Sequence, residues 1–244
     1  MNYRLEICAF NLPSALVAQQ AGADRIEFCA GPAEGGTTPS AGAIRTAREQ
    51  LRIALYPIIR PRGGDFLYSD EEFRSMIRDI EYCKQVGCNG VVFGILLPDG
   101  SVDKARCSRL VEAAYPLGVT FHRAFDWAAN PFEAMEAIIG MGCERILTSG
   151  QRPTAPEGIP LLDQLVREAD DRIVIMPGSG VRAGNIVELA EKTGASEFHT
   201  SARVLQASAM EFVNAAIKES LDSVMADPDE IHKIKEQLAA LEGD

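Results

Sequence analysis

The 244 residues carry 24 Lys and Arg against 35 Asp and Glu, a formal net charge of −11, with 46% hydrophobic residues. So acidic a balance argues against nucleic acid or an anionic membrane as partner and favours a protein that handles small molecules or ions. The length suits one (β/α) barrel better than two domains.

The N-terminal run Met1-Asn2-Tyr3-Arg4-Leu5-Glu6 has no apolar signal-peptide core, and no apolar stretch approaches the ~18 residues of a membrane span, so a cytoplasmic protein is expected. Six cysteines, at 8, 29, 83, 88, 107 and 143, are scattered along the chain rather than crowded as in a small secreted scaffold. Reduced thiols are therefore expected.

The first strand candidate, Leu5 to Ile7, runs into Glu6-Ile7-Cys8. The second ends Glu27-Phe28-Cys29 and belongs to the first of four similar joints, which begin at Gly22, Gly87, Gly142 and Gly194. Each joint follows a helical pattern, stops it with Gly, and after a small residue enters a short run that reads as a buried strand. Between the joints lie Leu5 to Ile7, Ala54 to Ile59, Gly118 to Phe121 and Ile173 to Met176. Interleaving the two sets gives eight strands separated by helices, all parallel, which predicts a single-domain (β/α)8 TIM barrel over residues 1–244. A doubly wound open sheet is the alternative, but no G-x-G-x-x-G follows the first strand.

Ser69-Asp70-Glu71-Glu72 reads as a capping box, followed by Phe73, Met76, Ile77, Ile80 and Cys83 on one helical face. Asp227-Pro228 opens a last helix with Ile231, Ile234, Leu238 and Leu241 as its stripe. Residues 204 to 226, before it, are less regular and are expected to form an extra helix or a lid.

In such a barrel, chemistry collects at the C-terminal ends of the strands. If Glu6, Cys8, Glu27 and Cys29 face inward, two carboxylates lie one layer below two thiols. Two adjacent thiols are a site for a soft metal such as Cu(I), or else two small core residues; a closed zinc site would need four ligands. Cys83, Cys88, Cys107 and Cys143 fall at core positions. Other polar groups at strand ends are Arg60 and Arg62, with Asp65, after the third strand, then His122, Arg123 and Asp126 after the fifth, and His199 and Ser201 at the eighth. The Gly178-Ser179-Gly180 turn and Ser201 suit an oxyanion or phosphate, or the glycines simply make a tight turn. His122 and His199 are candidate bases or ligands, with Asp126 or Glu197 as orienting partners. All six Lys fall in helices or at helix ends by this reading, which disfavours Schiff-base chemistry.

Arg25 to Cys29, Glu34-Gly35-Gly36-Thr37-Thr38-Pro39-Ser40, Ile59 to Phe66, Thr120-Phe121-His122-Arg123-Ala124-Phe125-Asp126, Leu147 to Gly150 and Glu197-Phe198-His199 closely resemble the CutC family of copper homeostasis proteins, over about residues 4 to 203. The resemblance implies a cytoplasmic TIM barrel, often a homo-oligomer, linked to copper tolerance, with Cu(I) bound by a cysteine pair whose matching positions here are Cys8 and Cys29. The cationic mouth formed by Arg60, Arg62 and Arg123 suits an anionic small molecule as well. A second reading is therefore an isomerase- or lyase-type enzyme acting on a phosphorylated or carboxylated metabolite. In that reading Arg60, Arg62, Arg123, Gly178, Ser179, Gly180 and Ser201 bind the anion, and His122, Glu27 and Asp126 do the proton chemistry.

Overall fold

The computed structural model describes residues 2–242, so Met1, Gly243 and Asp244 of the expected 1–244 domain lie outside the described residues. Eight strands and eight helices alternate along the chain: β1 (Arg4–Ala9), α1 (Leu12–Gln20), β2 (Arg25–Phe28), α2 (Ala41–Gln50), β3 (Ala54–Pro57), α3 (Asp70–Gln85), β4 (Gly90–Phe93), α4 (Lys104–Ala114), β5 (Gly118–Phe121), α5 (Pro131–Met141), β6 (Arg145–Thr148), α6 (Ile159–Ala169), β7 (Val174–Pro177), α7 (Ile186–Thr193), β8 (Glu197–Thr200) and α8 (Pro228–Glu242). Two four-stranded arcs, β3-β2-β1-β8 and β4-β5-β6-β7, are parallel throughout. A parallel bridge from Ile58 to Val92 joins β3 to β4, and β7 lies beside β8, which closes a (β/α)8 TIM barrel.

The repeated joint has a direct backbone cause. Gly22, Gly87, Gly142 and Gly194 all sit at left-handed φ, between 68° and 90°, just past a helix end. A side chain there is strained, so glycine ends the helix and turns the chain into the next strand. The capping box forms as the spacing predicts, with Ser69 Oγ accepting from the Glu72 amide and Glu72 Oε2 accepting from the Ser69 amide.

Strand residues divide by parity. Outward ones such as Leu5, Ile7, Phe28, Phe93, Phe121 and Phe198 pack against the helix stripes in one continuous apolar core, together with Cys83, Cys88, Cys107 and Cys143. Inward ones are largely charged: Glu6, Arg25, Glu27, Arg145, Glu197 and His199 are all buried. A small apolar cluster of Cys8, Cys29, Tyr56, Ile58 and Val92 is separate from the main core.

Tyr56 reaches across the barrel interior to donate to Glu144 Oε1 at 2.7 Å. It does so because β4 and β5 begin with glycine: a methyl added at Gly90 would overlap the Tyr56 ring, and one at Gly118 its hydroxyl. Gly90→Ala is therefore expected to destabilise the fold by about 1–3 kcal/mol. Thermal denaturation checks this, and an unchanged midpoint would show that the ring relocates freely.

Between β8 and α8 the structure departs from the expected helix. Residues 203–206 and 223–226 pair as an antiparallel ribbon, β9 (Arg203–Gln206) with β10 (Ser223–Ala226), and residues 207–222 form no helix. The ribbon is tied to α1 by Asn11 Nδ2, which donates to the Val224 carbonyl at 2.7 Å, and by Ser14 Oγ, which accepts from the Ala226 amide at 3.2 Å. Leu205, Met210, Phe212, Val213 and Ile217 stay exposed. Lys218, on this arm, is accordingly not helical.

Candidate functional site

Cys8 and Cys29 stand at the inward face of β1 and just past β2. The register pairs Cys8 with Glu27 and Glu6 with Arg25, so the expected stacking of two carboxylates below two thiols is corrected: Glu27 is level with Cys8, and only Glu6 is a layer down. The parallel stagger still brings the sulfurs to 3.5 Å and puts Cys29 Sγ 3.4 Å from Glu27 Oε2. One donor atom from each of Cys8, Glu27 and Cys29 falls within 4.8 Å of the other two, and all three residues are buried.

His199 on β8 completes this group. Its Nδ1 lies 2.7 Å from Glu6 Oε1 and its Nε2 3.7 Å from Glu27 Oε2, so Glu6, rather than the expected Glu197, orients the ring. Burial opposes a charged imidazole, but the contacts with Cys8, Glu27 and Glu6 outweigh it and hold His199 well above the usual histidine range. The Cys29 hydrogen bond, helped by His199, overcomes burial and brings Cys8 down to about 5. Burial and the adjacent Cys8 thiolate push Glu27 up well above the carboxylate range, and burial with the Cys8 contact does the same to Cys29. The two cysteines are thus unequal: Cys8 is shifted toward the thiolate and Cys29 toward the thiol, while Glu27 is shifted toward its protonated form and His199 toward its charged form.

Below it lies a buried ionic lattice that sequence reasoning missed. Arg25 pairs with Glu6 and, at 2.7 Å, with Glu197; Arg145 meets Glu197 at 2.6 Å and Glu144 at 2.8 Å. Both guanidiniums also face the Tyr56 ring, at 5.3 and 5.8 Å. A signal was present: Arg25, Arg145 and Glu197 occupy one position of the repeated joint, where β4 has Gly90.

Most of the other sequence-predicted residues fall around a cavity of about 900 Å³ at the C-terminal end of the barrel, lined by Cys8, Glu27, Arg60, His122, Arg123, Ser179, Gly180, His199 and Ser201 among others. Several are already committed. Arg60 donates to the carbonyls of Glu34, Gly36 and Gly64 at 2.7–2.9 Å, bracing the loops after β2 and β3. Arg62 is held by Glu72 at 2.7 Å and Asp65 at 2.9 Å, away from the cavity lining. Asp126 accepts from Arg123 Nε at 2.8 Å, Thr148 Oγ1 at 2.5 Å, the Ser149 amide at 3.0 Å and the Gln151 amide at 3.1 Å. It therefore clasps the loops after β5 and β6 and makes no hydrogen bond to His122. Gly178 turns its amide back to the Thr148 carbonyl at 2.9 Å, leaving Ser179 and Gly180 to face the mouth.

The sequence model of the CutC family matches residues 3–204. A protein of Parabacteroides distasonis named "family protein CutC" is 50% identical over 237 residues, covering 97% of this chain and 98% of that protein. The human "Copper homeostasis protein cutC homolog" is 46% identical over 215 residues, 88% of this chain and 79% of that protein. The crystal structure of CutC from Streptococcus agalactiae superposes with a TM-score of 0.78 at 34% identity, covering 82% of this chain and 98% of that one. Phosphoribosylanthranilate isomerase of Thermotoga maritima, at 16% identity and TM-score 0.62, shares the fold. With the family model matching residues 3–204 and a relative half identical over nearly the whole chain, the chain belongs to the CutC family.

Proposed function

We propose that the protein binds Cu(I) through Cys8 and Cys29 as a copper homeostasis protein, the ion being cargo rather than a catalytic cofactor. The observation that carries this reading is the pair of inward thiols 3.5 Å apart with no other thiol among their contacts. Two adjacent, buried soft donors suit low-coordinate Cu(I), whereas a closed zinc site would need four ligands. Glu27, shifted toward its protonated form, competes poorly as a third ligand, and His199, shifted toward its charged form, opposes the negative charge of a bis-thiolate. The relative named for copper homeostasis supports the same assignment.

The reading includes cytoplasmic residence, supported by six free and buried thiols. No described helix is long and apolar enough to cross a membrane. It also includes a homo-oligomer, which the exposed apolar side chains of residues 204–221 favour.

Titration of the reduced protein with Cu(I) against a chromogenic chelator tests the assignment. Wild type is expected to take up one equivalent in competition with the chelator, and Cys8→Ser/Cys29→Ser none, with circular dichroism confirming that the variant is folded. Tight binding retained by the folded variant would overturn it.

A further inference from the structure

The mouth holds a second set of groups that copper does not use, on the β5, β7 and β8 side. After β7, Ser179 and Gly180 both adopt left-handed φ, 74° and 73°. The carbonyls of the turn are engaged: Ser179 accepts from the Ala155 amide at 2.8 Å, Gly180 from Asn185 Nδ2 at 2.9 Å, and Val181 from Thr200 Oγ1 at 2.7 Å. The amides of Ser179, Gly180, Val181 and Ser201 donate to nothing among the described residues, and all four residues line the cavity. Successive free amides around a concave turn are a site for an anion. Arg182 and Arg203, exposed on the same rim, supply positive charge in a chain of net charge −11. The lining carboxylates Glu34 and Asp65 stand on the opposite rim, in the loops after β2 and β3.

An independent observation points to the rest of the ligand. His122 is 3% exposed and lines the same cavity, yet its Nε2 has no partner. Its Nδ1 accepts from the Ala124 amide at 3.2 Å, so the ring proton sits on Nε2. Burial first, and the Arg60 charge second, bring His122 down to about 3, which keeps the ring neutral. A buried N–H without an acceptor is unfavourable, and an acceptor from a bound molecule removes the penalty. His122 and the β7 turn are two strands apart, which at the interstrand spacing is about 10 Å.

We propose that the mouth binds a phosphorylated small metabolite, its phosphate on the amides of Ser179, Gly180, Val181 and Ser201 with Arg182 and Arg203 as countercharges, and its carbonyl or hydroxyl oxygen on His122 Nε2. The site lies beside the cysteine pair but does not use it, so it stands or falls separately from the copper assignment.

Calorimetric titration with inorganic phosphate and with dihydroxyacetone phosphate as probes tests this. Wild type is expected to bind both saturably, the second more tightly. Arg182→Ala/Arg203→Ala, two exposed positions that the fold does not need, is expected to weaken both by about tenfold. His122→Gln is expected to weaken dihydroxyacetone phosphate while leaving inorganic phosphate unchanged, a split that a merely structural role of the ring would not produce. Cys8→Ser/Cys29→Ser is expected to bind both probes as wild type does. Absence of saturable binding of either probe to wild type at millimolar concentration, or binding insensitive to both the arginine and the histidine variants, would overturn the proposal.

Discussion

Arg25→Met is expected to lower the free energy of unfolding by about 3–5 kcal/mol at neutral pH, the usual result of removing one partner from a buried ion pair. Arg25 is the shared cation of Glu6 and Glu197 and stacks over Tyr56, while Glu6 has no exposed side-chain surface. Methionine restores most of the volume and none of the charge, so the loss reports the electrostatics. Chemical denaturation followed by far-UV circular dichroism measures it; a loss under about 1 kcal/mol would mean that His199 alone suffices as the Glu6 partner. The pH dependence gives a second reading. In the wild type, burial raises the Glu6 carboxyl but Arg25 and His199 prevail and hold it far below its ordinary range, and Arg145 and Arg25 likewise lower Glu197. Their stabilisation is present above the ordinary carboxylate range and is lost as pH falls through the lowered values. In the variant, burial acts on Glu6 with less opposition and its pKa rises. The deficit relative to wild type is then expected to be largest near neutrality and to shrink toward about pH 5, as the stranded carboxyl takes up a proton.

The apparent affinity for Cu(I) is expected to rise about tenfold per pH unit between about pH 6 and 8, hence about a hundredfold over the interval. Both ligands must be thiolates when the ion is held. Cys8, brought down to about 5, is already ionised across that range, and Cys29, raised well above the usual thiol value, is not. Binding therefore displaces one proton, and lower pH opposes it. Chelator competition at three pH values, corrected for the chelator's own protonation, gives the slope. A slope of zero would mean two thiolates before copper arrives, and a slope of two would mean none. Either result would refute the asymmetry between the cysteines.

Much of the barrel was legible because its determinants are local. A glycine that stops a helix, a small residue and a short apolar strand recur four times, and each element of the joint follows from backbone conformation within about seven residues. The capping box at Ser69 and the stripe of α8 are equally local. Parity along β1 and β2 identified Glu6, Cys8, Glu27 and Cys29 as a set, since side chains alternate across any strand. Residues 204 to 226, less regular in sequence, carried no such local signal, and the pairing of 203–206 with 223–226 as a ribbon was not legible there.

The sequence by itself thus determined the eight parallel strands, the family resemblance and the candidate cysteine pair, because periodicity and short motifs act over a few residues. Only the tertiary structure decided which partner each charged group takes. The stagger between β1 and β2 sets Cys8 against Glu27, and closure of the barrel brings β8 beside β1, so that Glu6 orients His199. Loop packing spends Arg60 on carbonyls and Asp126 on the β6 loop, while leaving His122 Nε2 buried without a partner and four amides without acceptors at the mouth. These choices depend on register and ring closure between segments far apart in the chain, which no local pattern encodes.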